Sequence, residues 1–412
     1  MHATTSTEIA ESVPSRSSRQ VTLPPPPRNI AVDAYRGLVM LLMMGEVLKF
    51  PAIARSYPDS LLWRILAYNQ THVPWAGLGL HDTIQPSFTF LVGVALPYSI
   101  ASRSRKSQSF GRQLAHTIVR SLVLIALGIF LRWIHSAQTN FTFEDTLTQI
   151  GLGYTFAFLL AYCRPKWQWV ALAAILFGYW LAWALYPAPG SNFNYALVGI
   201  PSDWHHNFRG FAAHWNKNSN LGQAVDVWFL NLFPRASRFE YNDGGYLTLS
   251  FIPTLGTILL GIRAGEWFRS ARPRIPIKRF LIAGSILVIA GLLLHVTGIC
   301  PIVKRIWTPA WTLFSGGICF FFLAVFSWTI DVRSHRRWAF PLVVVGTNSI
   351  AAYVIAHLWE NFIVSTLRIH LGCRIFRSFG PGLEPLIVGI AVMSVYWLIL
   401  YWMHRRGSFL RI

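Results

Sequence analysis

Residues 69–93, NQTHVPWAGLGLHDTIQPSFTFLVG, decide how this chain is read. A polar stretch holding His72, His81 and Asp82 runs into a long apolar segment with one short break. If that segment spans a bilayer, the histidines and the carboxylate stand at a membrane boundary, beside a buried cavity or facing water. Ionisable groups at membrane depth are costly, so function is the first thing they suggest.

Composition supports a membrane. Of 412 residues, 53% are hydrophobic and only 13% charged, against about 25% charged in an ordinary soluble domain. The 18 tryptophans and 29 phenylalanines suit a chain whose aromatic rings sit at headgroup level. A formal net charge of +20 could point to nucleic acid. The cations, however, recur in short clusters between apolar runs, which is how membrane topology is written. The expected partner is the lipid bilayer, not nucleic acid. Cys163, Cys300, Cys319 and Cys373 show no CxxC spacing, so no metal–thiolate site is expected. A Cys300–Cys373 disulfide stays open, since spacing alone cannot establish the contact.

Apolar segments of about spanning length follow one another near 32–50, 83–102, 114–134, 146–163, 167–187, 247–268, 279–298, 308–330, 339–358 and 383–403. The first is short, and the stretch after Asn348 reads as a broken or re-entrant helix. The fold class is therefore an all-α polytopic membrane protein of about ten transmembrane helices. Its long extracytoplasmic loop, 188–246, lies between spans five and six. Basic clusters around Arg103–Arg112, Arg164/Lys166, Arg269–Arg279, Arg333–Arg337 and Arg405–Arg411 fall in alternate loops, and Glu144/Asp145 in an opposite one. The positive-inside rule then makes both termini cytoplasmic. Residues 1–28, polar and ending in Pro24–Pro27, read as a disordered cytoplasmic tail before one transmembrane domain over 29–412.

Two long connections face outward, near 51–81 and 187–246. The second carries His205, His206, His214, Asp203, Asp226, Asn242, Asp243 and many aromatics. That composition suits carbohydrate, but equally a folded cap whose tryptophans rest at the interface. No ligand spacing turns its histidines into a metal site, and no metal is expected.

Several segments resemble a known family. VDAYRGLVMLLMM (32–44) is similar to an "LDxxRG" opening helix. THVPWAGLGLHDTIQPSFTFLVGVAL (71–96) is similar to "HxxWxGxxxxDxxxPxFxFxxG". Further likenesses run through LTQIGLGY (147–154), FIPTLGTILLGIRAGEWF (251–268), KRIWTPAWTLFSGG (304–317), GTNSIAAYV (346–354) and the terminal YWMHRRGSFLRI. Together they resemble the heparan-alpha-glucosaminide N-acetyltransferase group, including its bacterial relatives. The resemblance implies a polytopic acyltransferase of a bacterial cytoplasmic membrane, taking acetyl-CoA from the cytosol. It would acetylate the amine of a terminal glucosamine-like sugar on the other side. It also makes His72 the active histidine and Trp75, Gly77, Asp82 and Pro86 motif members, with Trp75 read as a substrate contact. Where animal members carry an asparagine after the first span, this chain has MMGEVLKF (43–50), so that role does not transfer. A homodimer rests on analogy alone.

Acetyl transfer to an amine needs a base for the lost proton and stabilisation of an oxyanion. Imidazole suits the base, and His72 could instead carry the acetyl group. Asp82 could orient a histidine or cap its helix; His81 reads as structural or solvated. Glu46 either pairs with Lys49 or faces the cavity to position the amine. Asp33 and Arg36 form a pair at a helix start, and Arg36, Arg263 and Arg269 are candidates for CoA phosphates. Asn348 and Ser349 could contact ligand at a helix break, and His357, Glu360 and Asn361 could contact sugar. Two rival functions remain: a transporter or channel for a sugar or glycolipid, and an O-acyltransferase of a surface glycan.

Overall fold

The structure, a computed structural model, describes residues 29–271 and 274–410; the expected tail over 1–28, and with it Arg272 and Arg411, lies outside the described residues. The described chain is helical, and its one β contact is an isolated bridge between Ala76 and Val303. In order the helices are α1 (Ile30–Met44), α2 (Phe50–Ser56), α3 (Leu61–Gln70), α4 (Ile84–Arg105), α5 (Phe110–Trp133), α6 (Thr146–Ala161) and α7 (Pro165–Leu185). There follow α8 (Leu221–Phe229), α9 (Phe251–Ala271), α10 (Ile277–Val296), α11 (Pro309–Phe326), α12 (Phe340–Gly346), α13 (Ser349–Leu371), α14 (Cys373–Phe376) and α15 (Glu384–Arg405).

Many of these helices start where a short polar side chain satisfies an orphan amide. Asn29 accepts from Val32, Ser109 from Arg112, Asp145 from Leu147 and Thr308 from Trp311. Among the described residues, eight helices are long and apolar enough to cross a membrane. A ninth appears if Ile30–Leu48 and Phe50–Ser56, bent by 40°, count as one span. The molecule is thus an all-helical polytopic membrane protein, with fewer full-length spans than the ten expected. α6 has only 16 residues, about 24 Å of helix against an apolar slab of about 30 Å. The span expected over 339–358 is split: α12 stops at Gly346, Asn348 sits in a non-helical conformation, and the full-length helix is α13. The first span breaks at Lys49, whose left-handed backbone (φ 51°) ends a 3-10 turn and starts α2.

Packing accounts for the small side chains between 256 and 265. A Cβ on Gly93 of α4 would stand 2.1 Å from the Ile258 carbonyl oxygen. One on Gly261 of α9 would stand 2.0 Å from that of Phe90. The two backbones touch, and only glycine permits it. α9 is buried along most of its length, whereas α10 exposes Ile286, Ile289, Leu293 and Val296 as a face for lipid.

The long connection 186–247 is a folded cap. Its NKNSN run is buried and knitted inward: the Asn216 amide bridges Phe208 and Tyr195, Asn218 reaches the carbonyls of Val198 and Asn242, and Asn220 caps α8. Trp215 is buried in one apolar cluster with Trp75, Trp183, Trp307 and Trp311. The three asparagines of that run therefore hold the cap together.

Candidate functional site

A cavity of about 660 Å³ opens at the end of the bundle where the connections 49–79, 134–145 and 297–308 meet. Its wall is built by a pairing of two loops. The Gly77 amide donates to the Ile302 carbonyl (3.3 Å), and Ala76 bridges Val303. Thr308 Oγ1 accepts from the Val303 amide (3.1 Å), which fixes the second loop at the head of α11. This registration brings Lys304 beside His72, 232 residues away in sequence.

His72 Nδ1 lies 2.8 Å from Asp82 Oδ1. Asp82 is fully buried in the 3-10 turn that leads into α4, and its other oxygen accepts from the amides of Gly79 (3.0 Å) and Val73 (3.3 Å). Asp82 is therefore not the N-cap of α4, whose preceding residue Thr83 makes no side-chain cap; it reaches back with one oxygen to the amides of Gly79 and Val73 and meets His72 with the other. With Nδ1–H assigned to the carboxylate, Nε2 carries the lone pair. Lys304 Nζ stands 3.0 Å from Nδ1, 3.4 Å from Nε2 and 3.4 Å from Asp82 Oδ1. Burial holds the His72 imidazole below its usual value, and the Lys304 and His81 charges push the same way against the pull of Asp82. Burial also brings the Lys304 ammonium down to about 8, against the opposite pull of Asp82.

Around this centre the pairings differ from those expected. Glu46 does not pair with Lys49: its carboxylate meets His81 Nε2 at 2.8 Å, while Lys49 reaches Glu360 at 3.0 Å. The left-handed turn at Lys49 sends the two side chains apart. His81 is accordingly not solvated; it is buried, bonded to Glu46, and its ring centroid is 4.7 Å from that of His72.

The far wall comes from α5, α6 and α13. Asp145 caps α6 and accepts from the Tyr353 hydroxyl at 2.9 Å; Tyr353 stacks on His357 at 4.2 Å; Glu144 pairs with Arg132 at 3.2 Å. Burial raises both the Glu144 and the Asp145 carboxyls. A second cavity of about 460 Å³ shares Glu46, His72 and His81 with the first and adds Lys49, Arg55 and Arg305. The histidines therefore form a partition that both spaces touch.

Of the residues singled out from sequence, His72, Glu46, His357, Glu360 and Asn361 line the main cavity, with Asp82 directly behind His72. Trp75 does not line it. Its ring is buried, donating to the Trp215 carbonyl at 3.0 Å, so it fastens the motif to the cap. Arg36, Arg263, Arg269, Asn348 and Ser349 also lie away from this cavity's lining. Arg36 pairs with Asp33 at 3.2 Å, as expected. Arg263 is buried, paired with Glu266, bonded to Gln168 and set beside the rings of Trp169 and Trp267, so a structural role accounts for it. Arg269 donates to the Pro97 carbonyl at 3.1 Å. Asn348 is buried, with its Oδ1 accepting from the Leu410 amide at 3.3 Å.

Sequence reasoning passed over Lys304, Tyr246, Arg132 and Tyr353, all of which line the cavity. Lys304 left one signal: it opens KRIWTPAWTLFSGG, one of the segments quoted above for the family resemblance. Cys300 and Cys373 are free, the first buried and the second exposed. Burial pushes the Cys300 thiol up to about 12. Among the described residues no cluster of histidine, cysteine and carboxylate side chains could hold a metal.

Fold and site together define a polytopic membrane protein with a carboxylate-bound histidine facing a cavity at one end of its bundle. Known proteins carry that description further. No family model matches the chain. The human heparan-alpha-glucosaminide N-acetyltransferase is 24% identical over 426 residues, covering 94% of this chain and 60% of the relative. The mouse heparan-alpha-glucosaminide N-acetyltransferase is 22% identical over 421 residues, covering 92% and 60%. Both bear the name of the group that the sequence motifs resemble. The chain spans about 60% of the length of these curated relatives.

Proposed function

We propose that this protein is a transmembrane acetyltransferase. It takes the acetyl group of cytosolic acetyl-CoA and delivers it to the amine of a terminal, glucosamine-like sugar on the extracytoplasmic side. The observation that carries the reading is His72, half-buried at the mouth of a cavity and bonded to the buried Asp82. Its volume, about 660 Å³, suits a small polar ligand. The curated relatives, both named as N-acetyltransferases, support the class of reaction.

The amine nitrogen bonds to the acetyl carbon, the imidazole takes the amine proton, the carbon–sulfur bond breaks with its electron pair going to sulfur, and the imidazolium returns that proton to the thiolate to give CoA thiol. Asp82 holds the ring so that Nε2 faces the reaction. A direct attack and an acetyl-imidazole relay use the same lone pair. A stoichiometric burst of CoA from acetyl-CoA alone marks the relay, and its absence marks direct attack. His357, Glu360, Asn361 and Glu46 line the side from which the amino sugar approaches. The charge pattern makes both termini cytoplasmic, so the CoA phosphates meet the opposite end, where Arg36 and Arg269 are the candidate cations.

The test is protein purified in detergent, given acetyl-CoA and glucosamine-terminated acceptors, with CoA release followed. Acceptor-dependent release supports the proposal. Failure to release CoA with any amino sugar, together with solute uptake by vesicles holding the protein, replaces it with the transporter reading. Release only with hydroxyl acceptors replaces it with O-acyl transfer.

A further inference from the structure

A carboxylate 2.8 Å from an imidazole has a cost as well as a use. It fixes the tautomer, but it also favours the protonated ring, and an imidazolium has no lone pair to serve as base or nucleophile. Asp82 is fully buried, so its pull on His72 is little screened by water. Something must oppose it if the resting histidine is to be reactive.

We propose that Lys304 is the positioning residue that opposes it: its ammonium, packed against both Asp82 and the His72 ring, keeps the imidazole neutral with Nε2 unprotonated. The inference rests on the histidine-based transfer above. Geometry carries it. Lys304 exposes 4% of its side chain and is within 3.4 Å of both ring nitrogens and of Asp82 Oδ1. An ammonium only donates, so a proton added to the ring brings a second cation against it. The loop pairing through Gly77, Ile302 and Val303 holds the lysine in this place.

The other groups facing the ring leave this assignment intact. His81 lies 4.7 Å away between centroids, and its Nε2 is engaged by Glu46. Tyr246 presents an edge at 6.5 Å. Arg305 is turned to the carbonyls of Val73 and Gly244 and covers the Tyr246 ring. Lys304 is the cation in hydrogen-bonding reach of the imidazole. During transfer the same repulsion makes the imidazolium formed on Nε2 acidic, so it returns its proton readily to the CoA thiolate or to water.

The experiment compares pH–rate profiles of CoA release for the parent protein, Lys304→Met and Lys304→Arg. Lys304→Met should move the acid limb upward by about one pH unit or more. Activity lost at neutral pH then returns in alkaline buffer. Lys304→Arg keeps the charge and should leave the limb in place. A Lys304→Met profile lowered by one factor at every pH, with its limb unmoved, overturns the proposal and leaves the lysine a structural part.

A second readout does not depend on turnover. Carbethoxylation of His72 by diethyl pyrocarbonate, located by mass spectrometry, needs the neutral ring. Its pH midpoint should rise in Lys304→Met, or in Lys304→Gln if the methionine variant does not fold. An unchanged midpoint overturns the role of Lys304. Parent-level activity in His72→Ala overturns instead the function on which it rests.

Discussion

The two long connections, near 51–81 and 187–246, each carry a histidine cluster, and their surroundings have little in common. His72 and His81 sit between Asp82, Glu46 and Lys304, each ring tied to a carboxylate and both facing a cavity. His205 and His206 are exposed on the cap, His206 edges the Trp204 ring, and His214 is bonded to the Tyr186 carbonyl at 2.8 Å. In sequence the second cluster looks the richer. What separates them is the company delivered from elsewhere in the chain: Glu46 from the end of the first span and Lys304 from the loop before α11. A histidine's chemistry here is a property of tertiary packing, and local density of histidines says little about it.

The contrast breaks most sharply at His72. Replacing it by alanine should cut acceptor-dependent CoA release by at least about 10³-fold, with the detergent melting temperature close to the parent's. Parent-level rates would sink the assignment. Next comes Asp82→Asn, expected to lower the rate about 10²–10⁴-fold, because an amide no longer dictates the tautomer. Its melting temperature should fall too, since Asp82 also holds the amides of Val73 and Gly79; a rate within twofold of the parent would leave Asp82 only the holder of those amides. Glu46→Gln tests the neighbouring pair. Losing the charged bond to His81 should cost about tenfold in rate, and an unchanged rate would confine Glu46 and His81 to shape.

The cap should answer in stability instead. Burial raises the Asp226 carboxyl to about 7. A folded-state value above the unfolded one, about 3.9, stabilises fully below the unfolded value and is lost as pH rises through the folded one. Melting temperature should therefore fall between about pH 4 and about 7, and Asp226→Asn should flatten that slope while leaving turnover intact. A slope unchanged in the variant would assign it to another group. His214→Ala is expected to have the smallest effect: about 1 kcal/mol of stability for its lost bond to Tyr186 and less than a twofold change in rate. A large loss of rate would erase the distinction between the two clusters.

Much of the bundle was legible because an apolar run of spanning length is stable in few places besides a bilayer. The broken or re-entrant helix expected after Asn348 is absent: the interruption lies between Gly346 and Asn348, and α13 runs unbroken over Ser349–Leu371. Helix ends were less legible: α12 and α13 form one apolar stretch in sequence, and the stop at Gly346 depends on its contact with α1, where a Cβ would stand 1.8 Å from the Asp33 carbonyl oxygen. Motif membership picked out His72 and Asp82 but could not say which way Trp75 points. The Glu46–His81 and Lys49–Glu360 pairs were hidden because a single left-handed residue reverses what i,i+3 spacing implies. Lys304 was hidden because the loop pairing that brings it to His72 leaves no periodic trace.

The glycine contact between α4 and α9 has a mechanical meaning. Backbones that touch at Gly93 and Gly261 cannot slide by a residue without driving a neighbour's side chain into a carbonyl. The centre of the bundle behaves as a fixed post, not as a rocker. Asp82 stands just ahead of α4, so the jaw that grips His72 is bolted to that post. Whatever passes along it must thread past a stationary wall, and the alignment of the histidine is set before any substrate arrives.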